Sequence, residues 1–129
     1  MKILNICIDI DGTITDPYFW LDSANRYFNK NITSDEVTQY EVNKVLKVPR
    51  KDYTDFYNKN KFTLHQREKI NKEAVNVIQE LIKLNNIYFV TAREKGLEIL
   101  TREYLNRNNV PYDGVYVLGT YHKVDTARD

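Results

Sequence analysis

Asn5-Ile6-Cys7-Ile8-Asp9-Ile10-Asp11-Gly12-Thr13-Ile14-Thr15-Asp16 closes an apolar run with two carboxylates, and the rest of the chain is organised around it. Ile6, Cys7, Ile8 and Ile10 form the short β-branched stretch expected of a buried parallel strand, over about residues 3–9. Asp9 and Asp11 are two residues apart, which puts both side chains on one side of an extended backbone. Gly12 permits a sharp turn, and Thr13 offers a hydroxyl beside the acids. Acids at the carboxyl end of a core strand lie where open α/β sheets bind ligands. Such a pair suits a hard cation such as Mg²⁺ and supports attack on phosphorus. The competing reading is a loop cap; the preceding apolar strand and the following Gly-Thr weigh against it.

Asp9-Ile10-Asp11-Gly12-Thr13 resembles the first motif of the haloacid dehalogenase superfamily of phosphohydrolases. Ile87 to Val90 is a second apolar strand, and Thr91-Ala92-Arg93 after it is similar to the family's second motif. His122-Lys123-Val124-Asp125 resembles the third motif, a lysine near a helix start. The resemblance implies a Mg²⁺-dependent phosphomonoesterase with Asp9 as nucleophile and metal ligand. Asp11 would be the general acid and base, its backbone carbonyl reaching the metal. Thr91 and Lys123 would bind the phosphoryl oxygens, and Arg93 is a candidate substrate contact. On the residues alone, Thr91 also suits a helix cap, and Lys123 and Arg93 suit a solvated surface.

The Asp-Gly-Thr-Ile-Thr-Asp-Pro start and Val-Thr-Ala-Arg are most similar to the 5'-nucleotidase and 5'(3')-deoxyribonucleotidase branch. The implied fold is α/β, a Rossmann-like three-layer sandwich with a parallel sheet and a small all-helical cap after the first strand. Its core would comprise residues 1–15 and 71–129, and its cap residues 16–70. The implied partner is a small phosphate ester, most naturally a nucleotide; cap aromatics such as Tyr18, Phe19 and Trp20 could stack its base, with core packing favoured for most of them.

Composition agrees with a globular protein: 129 residues, 42% hydrophobic, 29% charged. A net charge of +1 gives no argument for nucleic-acid binding. No apolar stretch approaches the roughly 18 residues of a membrane span. Met1-Lys2-Ile3-Leu4 runs straight into the first strand, without a secretory leader, so a cytoplasmic protein is expected. Cys7 is the single cysteine and reads as a buried structural thiol. His65 and His122 are too scattered for a histidine metal site, and no P-loop pattern occurs.

Residues 16–70 read as helical. Asp16-Pro17 opens a helix through Phe28, Thr33 and Glu36 make a capping box for a helix to about Leu46, and shorter helices follow near 52–58 and 64–70. Ten of the sixteen aromatics lie between Tyr18 and Phe62, enough for a separate small core. Nine Lys or Arg against five acids between positions 41 and 73 leave an excess of +4 that would attract an anion or simply face solvent. From Glu73 the pattern alternates: a helix ended by Asn85-Asn86, the strand 87–91, a helix over 96–107, a turn at 111–114 and a strand at 115–118.

The family's fourth motif, acids closing another strand, would follow Lys123 by roughly twenty residues. The sequence ends at Asp129, and Asp125 and Asp129 do not follow an apolar strand. Three accounts follow: part of a longer phosphatase, a weakened or inactive phosphate-binding module, or a site completed by a second chain. In the resembled family that further strand lies beside the first one, so the sequence as given would be expected to leave an edge open to self-association.

Overall fold

The computed structural model describes residues 1–119. Three parallel strands, β1 (Asn5–Ile8), β2 (Asn86–Thr91) and β3 (Gly114–Val117), form one sheet in the order β1-β2-β3. Five α-helices accompany them: α1 (Leu21–Phe28), α2 (Val42–Leu46), α3 (Arg50–Gln66), α4 (Lys72–Leu81) and α5 (Glu98–Arg107). The α/β class and parallel pairing agree with the sequence. The helices between β2 and its neighbours follow from the need of parallel strands for long crossovers.

The described residues divide into two compact units, one of residues 18–67 and one of residues 1–17 with 68–119. In the sheet unit, Ile87 and Phe89 of β2, Val115 and Val117 of β3, and Ile10 beyond β1 share a core with Val75 and Ile78 of α4 and Tyr104 and Leu105 of α5. Ile6 and Ile8 pack partly against it. Asn71 caps α4, its Oδ1 accepting the Ala74 N–H at 3.2 Å. Asp113 ties β3 to β2: its N–H donates to the Ile87 carbonyl, and its Oδ2 accepts the Ile87 N–H, both at 2.7 Å.

Cys7 is exposed, which corrects the buried thiol expected from the sequence. A continuous Ile-Cys-Ile run suggests a strand covered on both faces. Instead β1 alternates, with Asn5 and Cys7 exposed and Ile6 and Ile8 half-buried. Cys7 is paired in register with Tyr88, on the face opposite Ile6 and Ile8, and among the described residues β1 pairs with β2 alone.

The helical unit packs around Trp20, Leu21, Ala24, Leu46, Phe56 and Leu64, the small aromatic-rich core that the composition suggests. Its helix boundaries differ from the periodicity. α1 starts at Leu21, because the Asp16 N–H donates to the Lys69 carbonyl and Asp16 is thereby occupied in strand-like pairing. The Thr33–Glu36 capping box forms but caps one 3-10 turn, and a new helix begins at Val42. One long helix, α3, replaces the two short ones, because Tyr53, Phe56, Tyr57 and Leu64 keep one stripe through the polar stretch. Within this unit, His65 is buried against Tyr57, whose hydroxyl lies 2.8 Å from Nε2.

Candidate active site

The chain turns sharply after Ile10. Gly12 takes a left-handed φ of +79°, where a side chain would be strained. The Thr13 and Ile14 N–H groups both donate to the Ile10 carbonyl at 3.1 Å. The hydroxyl that braces this turn belongs to Thr15, not Thr13. Buried Thr15 Oγ1 accepts the Gly12 N–H at 3.2 Å and donates to the Ile10 carbonyl at 3.3 Å. Thr13 itself is exposed.

Asp9 is half-buried just past the end of β1, and its Oδ1 accepts the N–H of Ile10 at 2.9 Å. Asp11 is held differently. Arg93 grips it with two charge-assisted bonds, Nε to Oδ2 at 3.0 Å and Nη2 to Oδ1 at 2.7 Å. The same Nη2 donates to Glu68 Oε2 at 2.6 Å, and Nη1 donates to Thr101 Oγ1 at 2.9 Å. Side-chain exposure is 2% for Arg93, 0% for Glu68 and 29% for Asp11.

Arg93, the candidate substrate contact of the sequence, is thus almost wholly buried, with Asp11, Glu68 and Thr101 around its guanidinium. Thr91 is buried at the end of β2, and its Oγ1 accepts the Arg93 N–H at 3.2 Å. Lys123 lies outside the described residues. Asp9, Asp11, Thr91 and Arg93 thus occupy the carboxyl ends of two adjacent parallel strands.

Glu68 and Thr101 escaped the sequence reading. Glu68 stands among charged residues and reads as surface; Thr101 lies inside a helix. Thr101 Oγ1 also donates to the Leu97 carbonyl at 2.7 Å, which fixes its rotamer. The Glu68 carbonyl accepts the Tyr104 hydroxyl at 2.7 Å. Burial, and after it the negative charge of Glu68, pushes the Tyr104 phenol up to about 12 from 10.0. A raised pKa means that the folded state holds this proton more tightly than the unfolded chain. Its contribution to stability is complete below about pH 10 and is lost as pH rises towards about 12. An ultraviolet difference titration of the parent against Tyr104→Phe should isolate one phenol ionising near pH 12. A difference centred on pH 10 would contradict the buried environment.

No protein-family model matches the chain. Over 128 residues it is 53% identical to a protein of Clostridium acetobutylicum named a nucleotidase, covering 99% of this chain and 67% of that protein. The chain belongs to this nucleotidase family. YqfW of Bacillus subtilis is 29% identical over 127 residues, with 98% of this chain and 66% of that protein covered. A Halalkalibacterium halodurans protein is 26% identical over 121 residues, with coverages of 94% and 62%. Both carry the nucleotidase name provisionally. The chain spans about two thirds of the length of these relatives. Among the described residues, no helix is long and apolar enough to cross a membrane.

Proposed function

We propose that this family member is a Mg²⁺-dependent phosphomonoesterase of the haloacid dehalogenase type that dephosphorylates nucleoside monophosphates. One observation carries the reading. The Arg93 contacts at 2.7 and 3.0 Å bring Asp11 together with the segment that follows Thr91, although the two lie 82 positions apart. The first and second motifs of the resemblance thereby converge on one end of the sheet, where α/β folds carry their chemistry. The nucleotidase names of the relatives support the substrate class.

In this reading an Asp9 oxygen attacks phosphorus and the ester P–O bond breaks, leaving an aspartyl-phosphate. Asp11 gives its proton to the departing alkoxide. It then takes a proton from the water that attacks phosphorus, which breaks the P–O bond to Asp9 and frees phosphate. A carboxylate has about four lone-pair positions, so two bonds from Arg93 leave Asp11 capacity for this exchange. Thr91 and Lys123 would bind the phosphoryl oxygens.

The donors on offer, the Asp9 carboxylate and the Asp11 carbonyl, are hard oxygens of the kind Mg²⁺ takes. The cation, when bound, would neutralise charge on the phosphoryl group and align it with Asp9.

The test is phosphate release from a panel of nucleoside monophosphates by the complete gene product containing this sequence, with Mg²⁺ and with EDTA. Release that needs Mg²⁺ is expected. Saturable nucleotide binding without release would favour a binding module, and release from sugar phosphates alone would move the substrate class.

A further inference from the structure

We propose that Arg93 is a positioning residue that fixes the orientation of the Asp11 carboxylate, with Glu68 and Thr101 as its mount. The inference rests on the phosphatase reading for its catalytic consequence, and on geometry alone for the orientation.

The arrangement has the properties of a rigid support. A guanidinium is planar, and its fork matches a carboxylate at two points, so the Nε–Oδ2 and Nη2–Oδ1 pair sets direction as well as distance. A flexible arginine would transmit no orientation, but this one is held on all sides. Nη1 is fixed by Thr101, which α5 itself fixes through the Leu97 carbonyl. Nη2 is shared with fully buried Glu68, whose carbonyl is in turn held by Tyr104. The Arg93 backbone N–H is anchored on Thr91 and its carbonyl accepts the Gly119 N–H at 2.8 Å. Each nitrogen of the guanidinium therefore meets an acceptor on Asp11, Glu68 or Thr101.

Glu68 has a second effect. A lone arginine against Asp11 would be a buried cation with one half-exposed partner, whereas Glu68 supplies a second anion at 2.6 Å and keeps the guanidinium seated. General acid–base groups work only within hydrogen-bond reach of their target, and a displacement near 1 Å costs about a hundredfold. Arg93 would act on turnover, not on substrate affinity.

The experiment uses Arg93→Lys, which keeps the charge and loses the fork, and Thr101→Val, which removes one mount at nearly constant volume. Both are made in the complete gene product. Arg93→Lys should lower kcat by about 10- to 100-fold with KM within about twofold, and Thr101→Val should lower it less, with the same split. Crystal structures of parent and variants should show the Asp11 carboxylate reoriented in Arg93→Lys. A KM rise with kcat retained would make Arg93 a substrate contact and overturn the proposal. So would an unchanged Asp11 orientation. Should the parent release no phosphate from any nucleotide, the phosphatase reading fails, and the crystallographic comparison still decides the orientation claim.

Discussion

Asp9→Asn is expected to abolish phosphate release by the complete gene product, with a loss of about four orders of magnitude or more. The change replaces one carboxylate oxygen by an amide nitrogen and removes the charge that attacks phosphorus. The fold should be retained, because asparagine matches aspartate in size and shape. Asp9 Oδ1 accepts the Ile10 N–H at 2.9 Å, and an asparagine carbonyl accepts the same bond. Asp11 does not replace it, since Arg93 holds its carboxylate in the orientation assigned to proton transfer. The check is phosphate release at saturating Mg²⁺ and nucleotide, beside urea melts of both proteins. Near-normal turnover in the Asn variant would remove Asp9 from the chemistry, and an altered melt would make the kinetic loss uninformative.

The second large effect is on stability. Arg93→Met is expected to cost about 3–5 kcal/mol, the usual price of breaking a buried ion pair from one side. The magnitude follows from what remains. Glu68, with 0% side-chain exposure, would lose the cation 2.6 Å away and must stay buried without it, at a cost whether charged or protonated. The exposed pair Lys51–Asp55, at 3.4 Å with side chains 86% and 53% exposed, is the internal contrast. Its removal should cost under about 1 kcal/mol. Combining Arg93→Met with Glu68→Gln should recover much of the loss, because the stranded charge is removed with its partner. Urea unfolding followed by circular dichroism at neutral pH provides the comparison. An Arg93→Met loss as small as that of Lys51→Ala would mean that the cluster is solvated.

The sheet was legible from the sequence for a physical reason: β2 and β3 are short β-branched runs bounded by Asn85-Asn86, Pro111 and Gly114, and nothing else nearby competes for them. The turn at Gly12 was legible in the same way, since a glycine after an apolar strand and two acids has few other uses. Helix boundaries between 17 and 70 were not. There a local signal, the Asp16-Pro17 opening, lost to a long-range one, the Asp16–Lys69 bond. Cys7 misled because an apolar run does not say how many faces of a strand are covered. The partners of Arg93 were illegible for a related reason. Glu68 is 25 positions away and sits in a charged surface-like stretch, so only the fold places its carboxylate beside the guanidinium.

Thr15 and Ile70 form an antiparallel bridge, flanked by the bonds from Asp16 N–H to Lys69 and from Asn71 N–H to Ile14. The chain therefore leaves and re-enters the sheet unit through a stapled gate two strands wide. Whatever lies between residues 17 and 68 hangs from a closure whose geometry belongs to the sheet unit and not to the insert. Such a gate fixes where the insert begins and ends. Loop-closure entropy grows only logarithmically with length, by about 0.6 kcal/mol per doubling. A gate already stapled by its own backbone bonds would accept a short glycine-containing hairpin, or a larger module, with little change in the register of β1. The two ends of the insert are thus held in register by backbone bonds that lie within the sheet unit.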